Sequence, residues 1–145
     1  MLHGKDLRHI LERVYKHEGL AGIDLRNLYL SFMDFSGLDL RRADLGGCCL
    51  SHSILDDCDL TDANLTNAKL NHASLKRAQM MGAILMDVLA EGASFEGASG
   101  LTASTIDYLK SKGAKGLKRM KSSGKADARR LKKTGMFFRL SKSRR

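Results

Sequence analysis

Every fifth residue in the middle of this chain is large and apolar. The series runs Leu20, Leu25, Leu30, Phe35, Leu40, Leu45, Leu50, Leu55, Leu60, Leu65, Leu70, Leu75, Met80, Leu85 and, after a small Ala90, resumes at Phe95. A helix repeats every ~3.6 residues and a strand every second residue, so neither produces a clean period of five. An internal repeat of this kind overrides local propensity and dictates the architecture. It constrains the fold far more than the activity.

A second signal lies two residues before each large position. It reads Ala63, Ala68, Ala73, Ala78, Ala83, Val88, Ala93 and Ala98, and earlier Ile23, Leu28, Met33, Leu38, Ala43, Cys48, Ser53 and Cys58. The residue between the two is often acidic or an amide, as at Asp24, Asp34, Asp39, Asp44, Asp59 and Asn64. The unit is thus small, Asp or Asn, Leu, then two polar residues, as in ADLGG, CDLTD, ANLTN and AKLNH. It resembles the pentapeptide-repeat family over residues 23–98, without a frame slip. The resemblance implies an all-β solenoid, a right-handed quadrilateral β-helix of about four coils with one five-residue unit per side. Asp and Asn suit the turns of such a coil because their side chains bond local backbone groups. Stability then comes from stacking, because one coil cannot bury its own apolar face.

Four units per coil make residues n and n+20 neighbours. The inner ladders are then Leu25, Leu45, Leu65, Leu85; Leu30, Leu50, Leu70, Ala90; Phe35, Leu55, Leu75, Phe95; and Leu40, Leu60, Met80, Gly100. On the outside the register sets Asp56, Lys76 and Glu96 in one row, Asp57 beside Arg77, Arg42 beside Asp62, and His52 beside His72. Opposite charges on adjacent strands are mildly favourable.

The chain has 145 residues and no proline, room for one small domain with flanking segments. It divides into a capping helix at 1–20, the repeats at 21–100, a second capping helix at 101–114 and a basic tail at 115–145. Residues 5–18 read as an amphipathic helix with Leu7, Ile10, Leu11, Val14 and Tyr15 on one face and Gly19 as its C-cap. Residues 102–112 read as a second helix, with Ile106 and Leu109 apolar and Gly113 closing it. Such helices cover the unpaired backbone at the ends of a β-stack, which otherwise invites edge-to-edge association. Tyr29 and Phe32 form a small apolar outcrop on the first coil, a further surface for the N-terminal helix to cover. No apolar run reaches the length of a membrane span, and residues 1–20 carry no secretory h-region. Three cysteines are an odd number: Cys48 and Cys58 fall at inward small positions and Cys49 points outward, which suits reduced packing thiols in a cytoplasmic protein.

Charge is divided unevenly. Residues 115–145 hold thirteen Lys or Arg against one acidic residue, a net +12. Residues 1–114 hold twelve against fifteen, a net −3, so the overall +9 belongs to the tail. Lys118, Arg119, Lys121, Lys125, Arg129, Arg130, Lys132 and Lys133 form a polyanion-binding segment, with too few apolar residues for a core of its own. Such a segment binds phosphate backbones by counterion release, without reading sequence. Met136, Phe137, Phe138 and Leu140 follow it. Their side chains suit stacking on single-stranded bases, insertion at a membrane interface, or docking back on the repeats.

Met81, Ile84, Met86 and Leu89 occupy outward positions of the last coil, and contiguous exposed apolar surface marks a contact. With Phe137 and Phe138 they are the candidate protein-contact residues, covered by the chain's own C-terminal part, by a second copy or by a partner. No phosphate loop, nucleophile elbow or zinc-ligand spacing is present. A cylinder packed with Leu and Ala leaves no substrate cavity, so we expect no enzyme, cofactor or metal. The reading is a non-enzymatic interaction module, a rigid repeat body with a tail that attaches to nucleic acid or another polyanion. Two alternatives follow from the resemblance. One is a DNA mimic that modulates DNA gyrase, for which the repeats carry a modest net −5. The other is a membrane-associated or secreted effector.

Overall fold

The computed structural model describes residues 4–118. Two helices flank the repeats, α1 at Gly4–Tyr15 and α2 at Ala103–Ser111. Between them the chain pairs with itself at a constant offset. Parallel bridges join Asp24 to Asp44, Asp44 to Asn64 and Asn64 to Ile84, and three further columns run through Tyr29, Asp34 and Asp39 with the same twenty-residue step. The pairing consists of single-residue bridges rather than extended strands. Each unit has only three residues between turns, too few for a longer ladder.

Most units close with a hydrogen bond from the residue three beyond the large one, as in Ile23 N–H to Leu20 O at 3.2 Å and Ala63 N–H to Leu60 O at 3.0 Å. The second residue after each large one has positive φ, from Gly22 to Gly97, as at the third position of a type II turn. Asn, Asp and Gly accept this conformation readily, yet Phe32, Arg42, His52, His72 and Arg77 are held in it too. Stacking on the units above and below offsets their local cost. The acidic position works as the sequence implies. Asp24, Asp34, Asp39, Asp44, Asp59 and Asn64 each accept the N–H two residues on, at 2.9–3.1 Å.

The large residues from Leu20 to Phe95 are buried, and so are the small ones from Leu38 to Ala78. Each Leu taken out of water contributes ~1.5–3 kcal/mol, so the stacked ladders carry most of the stability. Cys48 and Cys58 belong to this core. Their thiols donate to Leu25 O at 2.7 Å and Phe35 O at 2.8 Å, and burial pushes them up to about 11 and about 12. They are packing groups that stay protonated. The fourth ladder ends differently from expectation: Gly100 is exposed and lies against the backbone of Met81.

Helix α1 is shorter than the 5–18 span expected. His17, with φ +54°, takes the left-handed C-terminal position instead of Gly19. Glu18 N–H bonds Arg13 O at 2.8 Å and His17 N–H bonds Val14 O at 3.1 Å, the Schellman pattern. Ile10 and Val14 are buried, but Leu11 and Tyr15 face solvent. The helix does not cover Tyr29 and Phe32, which remain exposed. Helix α2 starts at its N-cap Thr102, whose side chain accepts Thr105 N–H at 3.2 Å, and buries Ile106 and Leu109. Beyond it the chain returns to the repeats: Lys115 bridges Ser94, with Phe95 N–H to Lys115 O at 2.9 Å and Lys115 N–H to Ala93 O at 2.8 Å. Pairing thus reaches Lys115, the first residue of the expected tail. No described helix is long and apolar enough to cross a membrane.

Candidate interaction surfaces

Three outward features stand on this scaffold. The first is apolar. Met81 is 66% exposed, Ile84 49%, Met86 61% and Leu89 48%, which makes the patch the largest cluster of exposed apolar side chains among the described residues. Ile84 sits in the column below Asn64, and Leu89 in the next column below Lys69. The turn carrying Met86 joins these two columns, so Ile84, Met86 and Leu89 meet around one corner. Helix α2 borders this corner without covering it. A groove of about 380 Å³ runs between Ile84, Leu85, Met86 and Asp87 on one wall and Ser104, Thr105 and Tyr108 on the other. The Tyr108 hydroxyl is buried and has no hydrogen-bond partner among the described residues. Sequence periodicity finds the four apolar residues but not Tyr108, because α2 lies outside the repeat register.

The second feature is a ring stack. His52 and His72 lie face to face with centroids 5.0 Å apart, and Phe32 stacks on His52 at 4.9 Å with an interplanar angle of 2°. These spacings are the inter-strand distance of a β-ladder. The twenty-residue register predicts the two histidines. It also implies Phe32, which by its apolar character alone groups with Tyr29 in a separate outcrop. No group of three or more His, Cys, Asp or Glu suited to a metal ion occurs among the described residues.

The third feature is a set of exposed ion pairs. Arg77 binds Asp57 through two contacts of 2.8 and 2.9 Å, as the register predicts. The pairing expected of Arg42 with Asp62 does not form among the described residues. Instead Arg26 binds Asp24 at 2.8 Å and Arg41 binds Asp39 at 2.7 Å, each two residues away along the turn. A guanidinium two positions on reaches the carboxylate that already accepts its backbone N–H, and each also approaches the next coil's carboxylate, Arg26 lying 3.7 Å from Asp44 and Arg41 3.9 Å from Asp59. Asp56 likewise meets the Lys76 backbone N–H at 2.9 Å and the Ser74 hydroxyl at 2.6 Å rather than the Lys76 ammonium.

The Arg26 and Arg41 side chains, and then their backbone N–H groups, hold Asp24 and Asp39 down at about 2. Asp34 is lowered by the Ser36 hydroxyl and N–H, and Asp57 by Arg77. A depressed carboxylate contributes stability above its unfolded value, roughly 4, and loses it as pH falls through its folded value. We expect the thermal midpoint to be flat from pH 7 to about 5 and to fall steadily between about 4 and 2. In Asp39→Asn the midpoint should start lower at pH 7 and fall less on acidification, as followed by circular dichroism. An acid limb unchanged by the substitution would show that this pair contributes nothing.

Of the expected polyanion-binding residues, Lys118 is exposed at the end of the described chain. Arg119, Lys121, Lys125, Arg129, Arg130, Lys132, Lys133, Phe137 and Phe138 lie outside the described residues. The half-buried Cys49 thiol lies 3.0 Å from the Ser31 hydroxyl, which lowers its pKa.

Period, stacked ladders and turn chemistry together define a solenoid repeat protein. The family model for pentapeptide repeats matches residues 20–57 and 58–99 in eight copies, more than half of the chain. The chain belongs to the pentapeptide-repeat family. Among solved structures it is similar to alr5209, a pentapeptide repeat protein from Nostoc PCC 7120, at 22% identity and a TM-score of 0.50, over 75% of this chain and 93% of that one. At that identity the likeness concerns the fold alone. It is also similar to HetL, a pentapeptide repeat protein of the same cyanobacterium involved in heterocyst differentiation regulation, at 29% identity and a TM-score of 0.33, over 68% of this chain and 46% of that one. AT2G44920, a pentapeptide repeat protein of the Arabidopsis thaliana thylakoid lumen, gives 27% identity and a TM-score of 0.31, over 74% and 83%. No curated protein matches the sequence.

Proposed function

We propose that this protein is a non-enzymatic interaction module of the cytoplasm. Its repeats form a right-handed quadrilateral β-helix of about four coils over residues 21–100, capped by α1 and α2. The twenty-residue bridges, four units to each step, support that geometry. The segment 115–145 attaches the module to nucleic acid or another polyanion, and the corner of Met81, Ile84, Met86 and Leu89, with Phe137 and Phe138, is its protein-contact surface.

The observation that carries this reading is the segregation of charge. Residues 115–145 bear a net +12, whereas residues 23–98 bear six Lys or Arg against eleven Asp or Glu, a net −5. In the repeats, Arg26, Arg41 and Arg77 are already bound to Asp24, Asp39 and Asp57. That leaves few cations on the body for a phosphate backbone, so attraction to polyanions resides in the tail.

The test is binding of duplex DNA and of RNA by the full-length protein across a salt series. It is repeated with Arg129, Arg130, Lys132 and Lys133 all changed to Gln. With six to ten phosphates neutralised, affinity falls about 10³–10⁵-fold between roughly 50 and 200 mM salt. The substituted protein should bind weakly and with a shallower salt slope. Equal binding by both proteins would move the contact to the repeats. If neither binds, the polyanion reading fails for nucleic acid, and gyrase inhibition by the acidic body becomes the next assay.

A further inference from the structure

The solenoid ends on an open edge beside its apolar corner. In each earlier repeat, two N–H groups of this column donate to the next one. Leu25, Leu45 and Leu65 donate to Asp44 O, Asn64 O and Ile84 O at 2.7–2.8 Å. Asn27, Gly47 and Asn67 donate to Gly46 O, Thr66 O and Met86 O at 2.8–2.9 Å. Leu85 and Asp87 come next in these two series, and among the described residues neither N–H has a hydrogen-bond partner. The position that would supply the next carbonyl is Ser104, and it belongs to α2.

Leu85 and Asp87 line the groove opposite Ser104, Thr105 and Tyr108, whose hydroxyl is likewise without a partner among the described residues. Unpaired backbone donors flanked by exposed apolar side chains are the recognition chemistry of strand addition. The molecule already performs such an addition at another column. There residues 113–115, which are not part of the repeat, close the edge by bonding Gly92 N–H to Gly113 O at 3.0 Å and Phe95 N–H to Lys115 O at 2.9 Å.

We propose that residues 135–140 of the same chain add to this edge as one further rung. Their carbonyls accept the Leu85 and Asp87 N–H groups; side chains alternate along such a rung, so Phe137 covers Ile84 on the outside and Phe138 faces inward toward Leu85. The inference rests on reading this corner as a contact surface, and it names the occupant. Two facts select this segment. After Lys118, Met136, Phe137, Phe138 and Leu140 form the only cluster of bulky apolar residues in the chain. The described chain ends at the same end of the solenoid, where Lys118 borders a groove with Phe95, Ser99 and Leu101. The intervening residues span up to ~60 Å when extended, against ~17 Å for one five-residue side, so the edge is within reach. Docking would fasten the basic run at both ends and present it as a closed loop on the body.

The test is amide hydrogen exchange, read residue by residue by NMR on the full-length protein, with and without Phe137→Ser and Phe138→Ser together. These positions lie outside the folded repeats, so the variant keeps the body intact. We expect the Leu85 and Asp87 amides to be protected in the natural sequence. Their protection should fall about two- to ten-fold in the variant, the effect of losing a net hydrogen bond. NOEs between the Ile84 methyls and phenylalanine ring protons should disappear with it. Fast exchange at both amides in the natural sequence would overturn the proposal. If the Ile84 and Met86 methyl signals still shift on substitution, the corner remains a contact surface and only strand addition fails. Protection that depends on protein concentration would assign the occupant to a second copy and equally overturn it.

Discussion

Leu65→Ala should destabilise the protein by about 3–5 kcal/mol, the upper part of the range for a buried leucine. Leu65 is fully buried, with Leu45 above it and Leu85 below it in the ladder. The loss combines the transfer free energy of the deleted carbons with the cavity they leave. That cavity cannot collapse easily, because the units on both sides are pinned by backbone bonds at Leu45 N–H to Asn64 O, 2.7 Å, and Leu65 N–H to Ile84 O, 2.8 Å. Leu85→Ala gives the contrast. Leu85 is 5% exposed, and no further repeat lies beneath it among the described residues. Its neighbours have room to relax, and the cost should drop to about 2 kcal/mol. Urea denaturation monitored by circular dichroism checks both, with a shift of midpoint at unchanged slope. Equal costs for the two would show that position along the stack does not control relaxation.

Gly100→Ala should cost about 3 kcal/mol, more than other glycine substitutions in the turns. Its φ is +82°, and an added Cβ would lie 2.4 Å from Met81 N and 2.8 Å from Met81 Cα. Both are backbone atoms held in the preceding repeat, so neither yields. Gly22 provides the reference. It has φ +69°, but a Cβ there meets nothing within 4 Å, and Gly22→Ala should cost only about 1–2 kcal/mol for the left-handed conformation. The remainder at Gly100 is overpacking, typically ~1–3 kcal/mol. The measurement is again a pair of urea melts. A Gly100→Ala midpoint no lower than that of Gly22→Ala would show that the edge shifts to admit the methyl.

The repeat body was legible because its signal is periodic and redundant. A large residue every fifth position, a small one two before it and an acidic one between them define the register many times over, so exceptions such as Ala90 do not break it. The same arithmetic placed Asp57 beside Arg77 and His52 beside His72. It failed for Arg42 and Asp62, which form no pair among the described residues, and it missed the pairs made within one turn. Arg26 and Arg41 reach the carboxylates two residues back, and a periodic alignment does not weigh that alternative. It also failed at the helix boundary near His17. There a non-glycine residue takes the left-handed position, and glycine placement alone pointed to Gly19.

What the sequence determined by itself is the set of interactions that repeat: the twenty-residue step, the inward and outward positions, the turn carboxylates and the apolar residues at the last corner. Each follows from spacing along the chain, which the backbone converts directly into spacing in space. What only the tertiary structure decided is what happens where the repeat stops. Helix α2 departs from the register after Thr102, and residues 113–115 rejoin at a neighbouring column. Together they leave Leu85 and Asp87 without acceptors among the described residues and set Tyr108 across a groove from Met86. These are contacts between segments with no common period, fixed by how the helix packs Ile106 and Leu109 over the end of the core.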